Sequence, residues 1–344
     1  MQKKILSLAL SAVLVLSLVA CGSNKTASSG SASQGSTGIK VGMVTDVGGV
    51  NDQSFNQTSW EGLKKLDAAN PNITAKYLES KTDADYASNI QIFLDEGYDL
   101  VICVGYMLAN ATREAAQANP NRKFAIIDDD SNKDLPNVAC LMFAQEQASY
   151  LVGVVAAMMT KSQNIGYVQG MVSDTMNLFG IGYIAGAESI NPTIKVQQYN
   201  ANNFADAAAG SAAVQNFVTN GADVVYHAAG GTGAGVISAC EANKIYAIGV
   251  DSDQSYIAPN TVCTSAMKRV DTAAQDISLA VLNGNFTGGV HKYDLSNAGV
   301  DIAPTTTLLT PEIIDKVNQV KNDIISGRIV VPTKTSECPS FTLK

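Results

Sequence analysis

Short apolar runs alternate with amphipathic stretches along most of the chain, beginning at Ile39. "IKVGMVTD", "YDLVICVG" and "KFAIIDDD" are typical of buried β-strands, whereas "SFNQTSWEGLKKLDAAN" places Trp60, Leu63 and Leu66 at helical spacing. Strands that are apolar throughout and separated by helices predict a parallel sheet covered on both faces. The alternation begins again with the apolar helix "ASYLVGVVAAMMTK", so the chain is predicted to form two successive α/β units of similar size.

The predicted strands end in polar or glycine-rich turns. These turns contain Asp46, Gly105, Asp128, Gly170, Gly230 and Asp251. Ligands of open parallel sheets bind at the carboxyl ends of the strands, so binding residues are expected in these turns. Two such sheets that face each other would line a cleft from both sides.

The first twenty residues have the pattern of a signal peptide. Lys3 and Lys4 precede the apolar run "ILSLALSAVLVLSLVA", which is short for a transmembrane helix and is followed by Cys21. The sequence "LVAC" resembles the lipobox of bacterial lipoproteins, in which the cysteine is lipidated; the alternative is an ordinary signal peptide that contains a cysteine. Residues 21–38, rich in Gly and Ser, are predicted to be a flexible linker that tethers the protein to the extracytoplasmic face of a bacterial cell membrane.

Composition narrows the class of protein further. The 344 residues are 46% hydrophobic and 16% charged, which is typical of a soluble globular chain of about two domains. The formal net charge of -8 is opposite to the basic face of a nucleic-acid-binding protein, so no nucleic-acid partner is expected. The cysteines after Cys21 have no spacing suited to zinc. Cys103, Cys140 and Cys263 lie in apolar runs, where we expect small buried hydrophobic residues.

Motifs for catalysis are missing from the sequence. "AAGGTGAG" fits neither GxGxxG nor GxxxxGK[ST], so it does not predict a phosphate cradle. Its backbone N–H groups could face a polar ligand, or its glycines could only pack a strand against a helix. No HExxH or GxSxG is present, and His227 lies in an apolar strand where a structural role is expected. The chain is therefore predicted not to be an enzyme and to hold no metal or cofactor.

A binding site for a flat polar ring is better supported. Asp46 ends a predicted strand, and Asn51, Phe55 and Asn56 lie at the start of the following helix. Asp52 or Ser54 could instead cap that helix, and Phe55 could be an ordinary core residue. "NNFADAAAG" repeats the arrangement in the second unit, where Phe204 begins a predicted helix. Two aromatic side chains from opposite units could then hold one ring between them.

At these residues the chain resembles a known family. "DVGGVNDQSFNQ", "FAIID", "GADVVYHAAGGTGAGVI" and "IGVDSDQ" resemble the basic membrane protein family of substrate-binding lipoproteins, whose PnrA-type members are purine-nucleoside receptors of ABC importers. The resemblance runs from about Ile39 to Lys334. It implies the type I periplasmic-binding-protein fold, in which two doubly wound parallel-sheet domains are joined by three crossovers and close on a ligand in the cleft between them.

The resemblance also implies roles for individual residues. Phe55 and Phe204 would stack on the two faces of a purine, and Asp128 would hydrogen-bond the base. The ribose or the edge of the cleft would be held by Asp46, Asn56, Gly230, Asp251 and Lys268. The complete set of ligand-binding residues expected from the sequence is Asp46, Asn51, Phe55, Asn56, Tyr106, Asp128, Phe204, Gly230, Asp251 and Lys268.

The expected organisation and partners follow from this set. The first lobe is expected to comprise residues 39–143 and 264–295, and the second residues 144–263 and 296–344. The partners would be a nucleoside, an ABC permease with its ATPase, and a membrane reached through the lipid anchor, with the protein itself a monomer. Three alternatives stay open: a pentose-binding protein of the same fold, a nucleoside-processing α/β enzyme, and a sensory or adhesive lipoprotein that kept the fold.

Overall fold

The computed structural model describes residues 38–304 and 307–343. The strands are β1 (Ile39–Val44), β2 (Ile73–Leu78), β3 (Leu100–Val104), β4 (Lys123–Ile127), β5 (Val138–Phe143), β6 (Asn164–Gln169), β7 (Lys195–Asn200), β8 (Val224–Ala228), β9 (Tyr246–Asp251), β10 (Val262–Lys268), β11 (Gly289–Tyr293) and β12 (Val300–Ile302). The helices are α1 (Phe55–Ala69), α2 (Asp85–Asp95), α3 (Ala109–Ala118), α4 (Gln145–Met159), α5 (Asp174–Ile190), α6 (Ala207–Thr219), α7 (Thr232–Asn243), α8 (Val270–Leu282) and α9 (Pro311–Ile325).

The strands form two six-stranded sheets. Their orders are β11-β5-β4-β3-β1-β2 and β12-β10-β9-β8-β6-β7. Every pairing is parallel except that of β12, which runs antiparallel to β10 at one edge. The predicted α/β class, with two parallel sheets, is confirmed.

Burial on both faces explains the uninterrupted apolar strands. In β3, Leu100 and Ile102 belong to one hydrophobic core, while Val101 and Cys103 belong to another on the opposite face. Successive side chains of a strand point to opposite faces, so a strand between two helical layers needs apolar residues at every position. The cysteines predicted to be buried, Cys103, Cys140 and Cys263, are all buried and free.

Each sheet and its helices form one lobe. Helices α1, α2, α3 and α8 pack on the first sheet, α4, α5, α6 and α7 pack on the second, and α9 packs against α4. The chain passes between the lobes after Phe143, after Lys268 and after Tyr293. The predicted boundary before Thr264 is therefore wrong. Residues Thr264–Met267 of β10 pair with β9, so residues 264–268 belong to the second lobe and only the chain from Arg269 returns to the first.

Three strands are not predicted by the sequence pattern. β5 follows β4 without an intervening helix, so it breaks the alternation on which the prediction rested. β11 and β12 are short edge strands with polar residues, and neither is apolar throughout. Among residues 38–304 and 307–343, no helix is long and apolar enough to cross a membrane.

Candidate functional site

The turn after β1 holds Asp46 in one orientation. Asp46 Oδ1 accepts hydrogen bonds from the Gly48 N–H at 2.8 Å and from Asn56 Nδ2 at 2.7 Å. In return, the Asp46 N–H donates to Asn56 Oδ1 at 3.2 Å. Both residues are buried. Because these contacts occupy Oδ1, the second carboxylate oxygen of Asp46 stays available to a ligand.

Helix α1 is capped by Asp52. Its carboxylate accepts from the N–H groups of Ser54 at 2.9 Å, Asn56 at 2.8 Å and Gln57 at 3.0 Å. The capping role considered for Asp52 is confirmed, since these are donors of the first turn, which have no partner within the helix. The Ser54 side chain makes no cap bond. It is directed to the other lobe, as described below, and Phe55 begins the helix.

The second lobe presents Phe204 in front of α6. The Phe204 carbonyl accepts from the Thr232 N–H at 3.2 Å, and Asp206 caps α6 through the Ala209 N–H at 2.9 Å. Gly230 has a φ of 54° and lies against Phe204. A side chain at this backbone angle would be strained, which explains glycine at the position.

The glycine-rich turn serves two purposes. Gly230 lines the cavity described next, whereas Gly233 and Gly235 are packing positions. A Cβ atom on Gly233 would collide with the His227 ring, and one on Gly235 would collide with the Ala207 carbonyl. The packing alternative considered for this turn is confirmed for Gly233 and Gly235, whereas a ligand at Gly230 stays a prediction. The structural role expected for His227 is confirmed, because it is fully buried and hydrogen-bonded to Gln254 at 3.0 Å.

A cavity between the lobes brings the predicted residues together. All of them except Asn51 line it: Asp46, Phe55, Asn56, Tyr106, Asp128, Phe204, Gly230, Asp251 and Lys268. Asn51 does not line the cavity, and its role in binding stays a prediction. Asn51 is exposed, because the turn that follows β1 buries Asp52 and leaves its neighbour on the outer surface.

The cavity is also lined by residues outside the predicted ligand-binding set. These are Gly48, Asp52, Gly105, Met176, Phe179, Ala228, Ala229 and Val250. Met176 and Phe179 come from α5, a helix with apolar residues on all sides, so their sequence pattern is the same as that of core residues. The other positions are mostly small residues next to predicted ones, where a bulky side chain would fill the cavity.

An ion pair between Lys268 and Asp128 crosses the cavity. Both side chains are buried, with 2% and 7% of their surface exposed. The Lys268 ammonium also lies 5.0 Å from the ring centre of Phe55, 5.2 Å from that of Phe143 and 5.3 Å from that of Phe179. These aromatic faces stabilise the charge in addition to the carboxylate. Lys268 bonds Asp128 through Oδ2, and Asp128 Oδ1 is buried without a hydrogen-bond partner among the residues that the structure describes.

The cavity carries more negative than positive charge. Four carboxylates, those of Asp46, Asp52, Asp128 and Asp251, share the cavity with one lysine. Burial raises the pKa of Asp46 to about 6 and that of Asp251 to about 7. Burial also raises the pKa of Asp128, against the opposing effect of Lys268. Such a site is suited to a neutral ligand that donates hydrogen bonds, since each donor stabilises a buried acceptor.

The two lobes touch across the cleft in this structure. The Ser54 hydroxyl of the first lobe donates to Asp251 of the second, and the Lys268–Asp128 pair makes a second bridge. Phe55 and Phe204 belong to opposite lobes and line the same cavity. Aromatic side chains and carboxylates from both lobes therefore face one cavity. Among the described residues, no group of three or more His, Cys, Asp or Glu side chains could hold a metal ion.

Comparison with known proteins places the chain in a family. Residues 39–335 match the family model Bmp, described as ABC transporter substrate-binding protein PnrA-like. The chain belongs to this family. It is thus a substrate-binding protein of the ABC-transporter type, and both the predicted family and the predicted type I periplasmic-binding-protein fold are confirmed.

Individual relatives of this Bmp-family protein agree with the assignment. It is 38% identical to the ABC transporter nucleoside-binding protein BmpA of Lactococcus lactis, over 97% of this chain and all of that one. It is 32% identical to basic membrane protein A of Borreliella burgdorferi, over 91% of this chain and 93% of that one. A solute-binding protein of an ABC transporter system from Aeropyrum pernix superposes with a TM-score of 0.78 at 25% identity, covering 88% of this chain and 96% of that one.

Proposed function

We propose that this Bmp-family protein captures a nucleoside, a purine nucleoside above all, and delivers it to an ABC permease with its ATPase. One observation carries the proposal: a single cavity is lined by aromatic rings from opposite lobes, Phe55 and Phe204, and by buried carboxylates between them. A flat heterocycle matches the rings, and the hydroxyls of a sugar match the carboxylates. The Lactococcus relative, which is named as nucleoside-binding, supports the same ligand class.

The base would lie between the two phenyl rings, with one edge facing Asp128. Asp128 Oδ1 is a buried acceptor without a partner in the described part of the chain, while Lys268 holds Oδ2. A ring N–H or an exocyclic amino group of a purine would supply the missing donor. Satisfying a buried acceptor in this way is worth about 1–3 kcal/mol relative to leaving it unpaired.

The ribose would lie toward Asp46 and Asp251. Each is a buried carboxylate with a pKa raised by burial, so each gains from a donor. Asn56 holds Asp46 Oδ1 and leaves the second oxygen for a hydroxyl group. Gly230 lets the backbone approach the ligand closely. One sugar ring with vicinal hydroxyls can donate to carboxylates from both lobes, so it would favour the closed arrangement.

Membrane attachment forms the second part of the proposal. Cys21 and the predicted signal peptide lie outside the described residues, and the proposal rests on the "LVAC" pattern and the Gly/Ser-rich segment that follows. A lipidated Cys21 would hold a monomeric protein near its permease. Cys21→Ala should move the protein from the membrane fraction to the soluble fraction, whereas Cys103→Ala should not. Equal membrane retention of C21A and the unchanged protein would contradict the anchor.

The ligand itself can be identified from the purified protein. Denaturing the purified protein should release about one purine nucleoside per chain, which mass spectrometry identifies. A pentose-binding protein of the same fold would release a free sugar, because carboxylates and aromatic rings also suit sugars. An enzyme that cleaves nucleosides would release free base when incubated with inosine. Recovery of a free pentose, or of free base from inosine, would contradict the proposed function.

A further inference from the structure

Gln254 is a buried polar residue that the cavity does not use. It follows β9 within the sequence "GVDSDQ" and is 1% exposed. It does not line the cavity, although Asp251 of the same motif does. A buried amide has two donor hydrogens and one acceptor oxygen, and all of them need partners.

The partners within the second lobe fix the orientation of the Gln254 amide. Gln254 Oε1 accepts from the Val250 N–H at 2.9 Å, so the oxygen must lie on that side. His227 Nε2 is 3.0 Å from the same oxygen and must therefore carry the hydrogen. Burial lowers the pKa of His227 to about 4, which keeps the ring neutral in this tautomer. The backbone N–H of Gln254 donates to Ser265 Oγ at 3.1 Å.

The side-chain nitrogen of Gln254 reaches the first lobe. Gln254 Nε2 donates to the Gln53 carbonyl oxygen at 2.8 Å. Gln53 has a φ of 55°, a left-handed conformation that turns this carbonyl toward the second lobe. The next residue, Ser54, donates its hydroxyl to Asp251. Two consecutive residues of the first lobe are thus held by the second lobe, immediately before the helix that carries Phe55.

We propose that Gln254 is a positioning residue that latches the closed cleft. His227 and Val250 hold its side-chain amide oxygen and Ser265 holds its backbone N–H within the second lobe, so little side-chain freedom is lost when the lobes meet. Opening of the cleft must break the bond to the Gln53 carbonyl. The latch fixes the start of α1, and with it Phe55, which lines the cavity.

The latch acts on the lifetime of the closed state. A ligand enclosed by two lobes leaves only after the lobes separate, so any bond made solely in the closed form slows release. Gln254→Met keeps the length of the side chain but removes the donor, so the Gln53 carbonyl loses its partner in the closed form. The dissociation rate of the ligand should then rise about tenfold or more. Gln57→Met is the matched control, because this half-buried side chain of α1 donates to Glu61 of the same helix and not to the second lobe.

The kinetic test uses guanosine as the probe and therefore rests on the proposed function. Stopped-flow displacement of guanosine should show a dissociation rate about tenfold faster for Q254M and unchanged for Q57M. If the unaltered protein binds no nucleoside, the proposed function fails. The latch is then judged by a measurement that needs no ligand, described next.

Spin labels on exposed Asp83 of the first lobe and Ala208 of the second report the opening directly. Pulsed electron–electron double resonance of the ligand-free protein should show a longer and broader distribution of distances between the labels for Q254M than for Q57M. Gln254→Glu is the second variant, in case Q254M does not fold. At pH 8 its carboxylate keeps the acceptor for Val250 but places an oxygen against the Gln53 carbonyl, so it should open the cleft as well. A distance distribution in folded Q254M or Q254E that equals that of Q57M would overturn the latch.

Discussion

Lys268 and Asp128 form a buried ion pair that joins the end of β10 in the second lobe to the turn after β4 in the first. The pair lies inside the cavity and fills one side of it. Lys268 is the one cation lining a cavity that holds four carboxylates, within the part of the chain that the structure describes. The closed form therefore depends on this lysine, because closure without it would bury unpaired negative charge.

Replacing this lysine should weaken ligand binding strongly. Lys268→Met leaves Asp128 and its neighbours without a cation in the closed cleft, and breaking a buried pair from one side costs about 3–5 kcal/mol. We expect nucleoside affinity, measured by calorimetry, to fall at least about a hundredfold. Lys133→Met is the matched control, since it breaks an exposed pair with Asp130 and should change affinity less than about threefold. Wild-type affinity in K268M would refute the central role of the pair.

The two aromatic residues should contribute separately to binding. Phe55→Ala and Phe204→Ala each remove one ring that lines the cavity, and stacking of a base on an aromatic ring is worth about 1–3 kcal/mol. Each variant should bind inosine roughly ten- to a hundredfold more weakly in a fluorescence or calorimetric titration. Tyr199→Ala, which removes a partly exposed aromatic residue of β7, should bind as the unaltered protein does. Unchanged affinity in both phenylalanine variants would exclude stacking.

The raised pKa of Asp251 predicts how stability depends on pH. Burial shifts this pKa from 3.8 to about 7, so between these values the folded protein holds a proton that the unfolded chain has lost. Folded protein that binds more protons becomes less stable as pH rises. Asp251, together with Asp46, therefore lowers the melting temperature of the ligand-free protein as pH rises from 4 to 7, against the opposite contribution of His227, whose pKa burial lowers to about 4. Asp251→Asn should make this slope shallower, whereas exposed Asp95→Asn should not. A D251N slope as steep as that of the unaltered protein would contradict the assignment.

The packing glycines should affect stability before they affect the ligand. Gly235→Ala places a methyl group against the Ala207 carbonyl between α6 and α7, and overpacking costs about 1–3 kcal/mol. We expect a lower melting temperature and, at a temperature where the variant is folded, ligand affinity close to normal. Gly97→Ala is a useful comparison. Its Cβ would meet no atom, so any loss there reflects only its left-handed backbone, with a φ of 75°. Normal stability of G235A would contradict the packing role.

Much of this architecture could be predicted from the sequence because the sheets are buried on both faces. Continuous apolar strands and intervening helices are strong patterns, and they located β1, β3 and β4 as well as α1. The alternation of strands and helices does not predict β5, because β5 follows β4 without a helix, although its apolar run is as long as those of the other strands. The sequence pattern does not predict β12, because its three residues are too few to show a strand pattern. β12 pairs with β10 because the chain crosses back to the second lobe just before it.

The sequence predicts the part of the site whose polar and aromatic residues lie close together in one segment of the chain. Asp46 in the turn after β1 and Phe55 and Asn56 in the first turn of α1 are close in sequence, so one motif shows all three. Phe179 was not predictable, because a phenylalanine in an all-apolar helix has the same pattern whether it faces a core or a cavity. The partner of Ser54 was not predictable either, since Asp251 is far away in sequence and only lobe closure brings the two together.

Calorimetric titration with inosine, guanosine and adenosine, and with ribose as the comparison, tests the central claim most directly. In the proposed complex the base lies between Phe55 and Phe204, and the sugar contacts Asp46 and Asp251. Tight binding therefore requires both the base and the sugar. At least one purine nucleoside should bind at one site per chain, and ribose should bind at least about a hundredfold more weakly, because it lacks the stacking ring. Tighter binding of ribose than of every nucleoside, or no heat with any nucleoside, would contradict it.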